Sequence, residues 1–313
     1  MAYVWLIAGL ITLLVSGELL VKGAVSIALK LRISTLVVGM TIVSFGTSAP
    51  ELLVSVKAAL SGHPEISIGN VIGSNIANLA LVLGITAIIF PILVDNNSIR
   101  IDWPMMMAST VVFYLFILDG VLVWWEGAIL LGSLVAFGTW LIRKSRKSGA
   151  EDGEVDEDED VAPLWKDILF ITLACVGLVF GVEWLLDAAV EIARAFEVSE
   201  HVIAVTIIAF GTSVPELITS GVAAFRKQTD ISIGNLIGSN IFNILGILGV
   251  TAMVREIPVL DTVIQADMWW VLGIAALILP LMLFQRKIGW WKGVLLLIIY
   301  AVYIIGLVQG VIS

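Results

Sequence analysis

The 313-residue chain is 59% hydrophobic and 14% charged, with a mean hydropathy of +1.06 and a formal net charge of −9. A soluble globular domain of this size does not have such a composition, and no nucleic-acid partner is expected. The one cysteine, Cys175, rules out an intrachain disulfide.

The apolar residues come in runs of about 20, the length that crosses ~30 Å of hydrocarbon as a helix. Ten spans are predicted, at 3–27, 34–60, 67–91, 104–120, 124–142, 165–193, 200–225, 232–254, 267–285 and 290–311. The runs are continuously apolar, unlike the short alternating strands of a barrel. The N-terminus has no basic region and no small-x-small cleavage site, so it reads as a first span. That span carries Glu18 and Lys22 at i,i+4 spacing, which suits a local ion pair.

The second span contains GTSAPELLVS (46–55). Pro50 has no N–H and its ring clashes one turn back, so the helix is expected to break near Ser44 to Thr47, next to Gly46. Glu51 follows the proline, near the middle of the span. A carboxylate inside hydrocarbon costs ~2.5–3.5 kcal/mol on insertion scales and marks a functional site by default. The third span contains GNVIGSNIAN, which puts Asn70, Ser74 and Asn78 four apart on one helix face. After the fifth span, EDGEVDEDED (151–160) carries eight acids and reads as a solvated linker.

The second half then repeats the first. GTSVPELITS (211–220) shares seven of ten residues with 46–55, and SIGNLIGSNIFNILGILG (232–249) shares twelve of eighteen with 67–84. Both lie 165 positions downstream of their counterparts. Pro215 and Glu216 thus repeat Pro50 and Glu51, while Asn235, Ser239 and Asn243 repeat Asn70, Ser74 and Asn78. Glu183 and Asp187 stand where Glu18 and Lys22 stood.

With the N-terminus outside, thirteen of the seventeen basic residues fall on inner loops or span ends, and only Arg194 and Arg255 fall outside. This is a strong positive-inside bias. Five spans per half is an odd number, so the second copy must be upside down, related to the first by a pseudo-two-fold axis in the membrane plane. Two broken helices can then face each other across one site, bringing two carboxylates together with hydroxyl, amide and freed carbonyl oxygens. Such oxygens suit hard cations. One divalent ion, or two or more Na⁺ ions, can balance the two charges on shared ligands, which is the physical basis of exchange. A channel would need a continuous pore, usually with oligomeric rings of ligands. An enzyme is not expected either, because the broken helices hold no Ser–His or Ser–Lys arrangement. His63 and His201 are assigned to outer loops with no metal role.

GTSAPE, GTSVPE and the two GNxIGSN blocks resemble the alpha repeats of the cation/calcium antiporter superfamily, in particular its archaeal and bacterial sodium/calcium exchangers. The resemblance extends over the whole chain. It implies an all-α membrane protein of ten transmembrane helices in two inverted five-helix repeats, with the proline-broken helices 2 and 7 at the centre. The first repeat would take residues 1–143, the cytoplasmic acidic linker 144–164 and the second repeat 165–313. It further implies that Na⁺ influx drives Ca²⁺ efflux with net charge movement, while spans 1 and 6 slide across the rest. No cofactor is expected beyond the transported ions, and the only surroundings implied are the bilayer of the cell membrane, with both termini outside and a single chain sufficient.

By the same resemblance, Glu51 and Glu216 correspond to the central carboxylates, and Thr47 and Thr212 to residues that ligate through carbonyl and hydroxyl. Ser48 and Ser213 correspond to neighbouring hydroxyl ligands, and Ser44 and Ala209 to residues acting through carbonyls alone. Ser74 and Ser239 match the serines of spans 3 and 8, and Asn78 and Asn243 the polar pair beside the glutamates. Some relatives carry aspartate at the position of Asn243, an acid associated with potassium dependence. Asparagine there favours a potassium-independent exchanger. The proton-coupled branch usually has an acid in its GN-containing helix, and neither copy here does. A proton-coupled or potassium-dependent exchanger of the same superfamily is the alternative, since Glu51 or Glu216 could carry a proton in place of a cation.

Overall fold

The computed structural model describes residues 1–151, 163–196 and 211–309, with backbone alone for 148–151. Helix α1 (Ala2–Leu31) ends at Arg32 in the left-handed region (φ 52°), where the Arg32 and Ile33 amides return to the last carbonyls of the helix. It lies along α7 (Leu164–Ala195). Gly9 meets Leu185, Gly23 meets Ile171 and Lys30 is paired with Asp167, so the two helices run antiparallel. Between them come α2 (Thr35–Thr47), α3 (Ala49–Leu60), α4 (Glu65–Ile89), α5 (Ser98–Asp119) and α6, which runs from Trp124 to Glu151. The second half continues with α8 (Val214–Phe225), α9 (Thr229–Val254), α10 (Val263–Leu283) and α11 (Trp290–Val308).

Among the described residues, eight helices are long and apolar enough to cross a membrane, and α2 with α3 adds a ninth as one span bent by 47°. The seventh expected span, 200–225, is described from Gly211 onward; its earlier part lies outside the described residues. Two boundaries move appreciably. α5 begins six residues before the expected start, at Ser98, and α6 continues into the expected linker as far as Glu151. Neither shift could be read from hydropathy, because Arg100, Asp102 and the basic run 143–147 are polar yet helical.

Two small antiparallel pairings, absent from the sequence expectations, join the halves. β1 (Ile92–Leu93) pairs with β4 (Lys287–Ile288), and β2 (Val121–Leu122) pairs with β3 (Ile257–Pro258). At the repeat offsets of 165 and 166, β1 is equivalent to β3 and β2 to β4, so the two pairings are one contact made twice. The same reciprocity governs two close helix approaches. A Cβ on Gly84 would lie 3.1 Å from the Gly293 carbonyl oxygen, and one on Gly293 2.5 Å from that of Gly84. Their equivalents, Gly249 and Gly127, face each other at 3.0 and 2.7 Å. A side chain at Gly293 or Gly127 would strike the facing carbonyl oxygen, and one at Gly84 or Gly249 would have to push its neighbours aside.

Enclosure differs sharply between helices. In α4 and α9, 72% and 78% of the apolar stretch is buried, against 22% in α6, α7 and α11. The outer helices present bare apolar side chains, such as Ile7, Ile11 and Val15 on α1 and Phe180 on α7. An apolar rim this extensive needs a lipid environment.

Candidate functional site

The two proline motifs fold alike. Ser48 (φ −87°, ψ 7°) separates α2 from α3, and Ser213 (φ −89°, ψ 3°) precedes α8. The helix therefore breaks at Ser48, one residue beyond the expected stretch of Ser44 to Thr47. Thr47 can still complete the preceding turn, whereas Pro50 deprives the Gly46 carbonyl of its helical donor. Glu51 and Glu216 consequently lie in the first turns of α3 and α8, where helix N-termini favour negative charge, and both are fully buried.

The halves meet through these residues. The Thr47 hydroxyl lies 3.4 Å from that of Ser239, and the equivalent pair, Thr212 and Ser74, is also 3.4 Å apart. Thr47 also donates to the Asn235 Oδ1 at 3.1 Å, and the Ser48 hydroxyl donates to Glu216 Oε1 at 3.1 Å. Each broken helix is braced by its own half. The Asn70 amide donates to the Ser55 hydroxyl at 3.0 Å, and the Asn235 amide to that of Ser220 at 3.0 Å. Asn70 also reaches the Glu51 carbonyl at 3.3 Å.

Several buried oxygens at this junction are unspent. Both carboxylate oxygens of Glu51, Glu216 Oε2, the Ser213 hydroxyl, Asn243 Oδ1 and both ends of the Asn78 amide have no hydrogen-bond partner among the described residues. Buried polar atoms are normally paired, and unpaired carboxylate oxygens are the costliest of all to leave so. A cluster rich in hard oxygen acceptors, drawn from four helices, can coordinate a bare cation.

Of the predicted residues, Glu51, Glu216, Thr47, Ser48, Ser213, Ser74, Ser239, Asn78 and Asn243 are buried, and Thr212 is half-buried. Ser44 is buried too but turned onto its own helix. Its hydroxyl donates to the Met40 carbonyl at 2.7 Å, and its carbonyl accepts from the Ser48 amide at 3.0 Å and the Thr47 hydroxyl at 3.3 Å. Ala209 and His201 lie outside the described residues. His63 is exposed beside Glu65. Glu18 pairs with Lys22 at 3.2 Å, as its spacing suggests, and also with Arg226, which its spacing does not reveal.

A family model described as sodium/calcium exchanger protein matches residues 1–143 and 166–309. The chain belongs to the sodium/calcium exchanger family. It falls within the cation/calcium antiporter superfamily, on the archaeal and bacterial side. The membrane protein MJ0091 of Methanocaldococcus jannaschii is 35% identical over 312 residues, with 98% of each chain covered. The sodium/calcium exchanger MaX1 of Methanosarcina acetivorans is 28% identical over 344 residues, with 96% of each covered. A solved structure of the sodium–calcium exchanger NCX_Mj, soaked with 10 mM Na⁺, superimposes with a TM-score of 0.83 at 33% identity, covering 98% of both chains.

At this junction, sequence reasoning left out Ser55 and Ser220. The signal was present, since both close the repeated proline motif one helical turn after the glutamate. It also left out Asn75 and Asn240, which follow the serine in both GSN blocks and are buried side by side.

Proposed function

We propose that the chain is a secondary antiporter that exchanges Na⁺ for Ca²⁺ across a cell membrane by alternating access. One observation carries the reading: two fully buried glutamates, one from each half, have three carboxylate oxygens without a hydrogen-bond partner among the described residues, beside hydroxyl and amide oxygens drawn from both halves. One Ca²⁺ balances both charges, as do two Na⁺, and the two species draw on the same oxygens. A site that either ion can occupy, but not both together, couples their movements in opposite directions. The names of MaX1 and NCX_Mj, both sodium/calcium exchangers, support the same ion pair.

In this reading Glu51 and Glu216 neutralise the cation. Thr47, Thr212, Ser48, Ser213, Ser74 and Ser239 supply hydroxyl or carbonyl oxygens, with Ser44 and Ala209 contributing through backbone and Asn78 and Asn243 through amide oxygens. The protein spans the membrane ten times in two inverted five-helix repeats, 1–143 and 165–313, joined by the linker 144–164. The reciprocal strand and glycine contacts support this symmetry. They also tie the segments expected inside (92–93 with 287–288) to each other, and likewise those expected outside (121–122 with 257–258). The linker then lies in the cytoplasm, both termini lie outside, and one chain holds the complete path.

Calorimetric titration of Ca²⁺ into detergent-solubilised protein tests the reading. Saturable Ca²⁺ binding that Na⁺ weakens, and that Glu51→Gln or Glu216→Gln removes, is expected. Ca²⁺ binding indifferent to Na⁺ but competed by acidification moves the protein to proton coupling.

A further inference from the structure

The structure assigns Asn75 as the positioning residue of Asn243. An amide side chain has an oxygen at one end, which a cation attracts, and two N–H donors at the other, which a cation repels. Which end is free therefore decides whether an asparagine can serve as a ligand. Asn243 donates its Nδ2 to the Oδ1 of Asn75 at 3.0 Å, while Asn75 donates its own Nδ2 to the Asn240 carbonyl at 3.3 Å. Asn75 is thus anchored to the facing helix α9 and takes up the donor end of Asn243. The end left over is Asn243 Oδ1, buried and without a partner among the described residues. Asn243 lies four residues after Ser239, hence on the same face of α9, and the Ser239 hydroxyl already meets Thr47.

The other half does not do this. By the repeat offset, Asn240 is the counterpart of Asn75 and Asn78 that of Asn243. Asn240 instead donates to the Leu236 carbonyl of its own helix at 2.7 Å, and neither end of the Asn78 amide has a partner among the described residues. Asn78 is thus held by no hydrogen bond among the described residues, whereas Asn243 is set with its oxygen outward.

This assignment rests on the proposed function only in taking the free buried oxygens as cation ligands. Its test is a double-mutant cycle on Ca²⁺ affinity, read by calorimetry on Asn75→Ala, Asn243→Ala and the double variant, with thermal melting of each. Asn75→Ala is expected to weaken Ca²⁺ about tenfold, Asn243→Ala by a similar factor, and the double variant by no more than about twofold beyond either. The parallel cycle on Asn240→Ala and Asn78→Ala is expected to be additive, because no bond joins that pair. Additive effects at Asn75 and Asn243, unchanged affinity in Asn75→Ala, or a loss that follows melting temperature alone would overturn the assignment. Failure of Na⁺ to compete with Ca²⁺ in the wild-type chain would count against the exchange reading while leaving the cycle readable.

Discussion

Two contacts that the repeat makes equivalent differ in this molecule: α1 against α8, and α7 against α3. α1 lies directly on α8. A Cβ on Gly17 would come within 3.0 Å of the Ile218 side chain, Thr219 is fully buried, and Glu18 is clamped by Arg226. On the other side, the residues equivalent to Ile218 and Thr219 are Leu53 and Val54, which are 57% and 42% exposed. Ser61 stands where Arg226 would be, so Glu183 meets no arginine there. The proposed cation site at the centre is matched between halves while its two flanks are not. An alternating-access protein must break its symmetry in this way to open one side at a time. In the proposed orientation, the covered flank faces the cytoplasm and the bare flank the outside.

The matched centre should respond equally to injury on either side. Glu51→Gln and Glu216→Gln are each expected to lower Na⁺-driven Ca²⁺ uptake by about a hundredfold or more, since each removes one of two buried charges. A large difference between the two would break the symmetry of the centre. The bracing asparagines come next. Asn70→Ala and Asn235→Ala should each cost about 0.6–1.7 kcal/mol in thermal unfolding, in similar amounts, because each breaks two side-chain hydrogen bonds.

The unmatched flanks should respond unequally. Arg226→Gln releases Glu18 and should raise thiol labelling of Thr219→Cys about threefold to fivefold, a range set by the modest worth of partly exposed ion pairs. Ser61→Arg gives Glu183 the missing partner and should lower labelling of Leu53→Cys by about twofold. Lys22→Gln removes only an exposed i,i+4 pair and should change labelling at either site by less than about twofold.

The centre was legible in the sequence because its chemistry is conspicuous there. A proline beside a glutamate in an apolar run, written twice at one offset, fixes the broken helices and names both carboxylates. The flanks were not legible. Glu18 and Arg226 are 208 residues apart, and neither periodicity nor composition links them. The strand pairings were hidden for a similar reason, since two residues such as Ile92 and Leu93 carry no alternation that could be recognised. The amide orientations of Asn75 and Asn240 were hidden because the residues are identical in both copies and differ only in the bond each chooses.

Ca²⁺ uptake into proteoliposomes tests the central claim most directly. The vesicles are loaded with Na⁺ and diluted into Na⁺-free medium, beside K⁺-loaded and acid-loaded controls. Uptake only from Na⁺-loaded vesicles, lost in Glu51→Gln and Glu216→Gln alike, is the predicted result. Uptake driven by the proton gradient without Na⁺, or uptake that survives with both glutamates replaced, would contradict it.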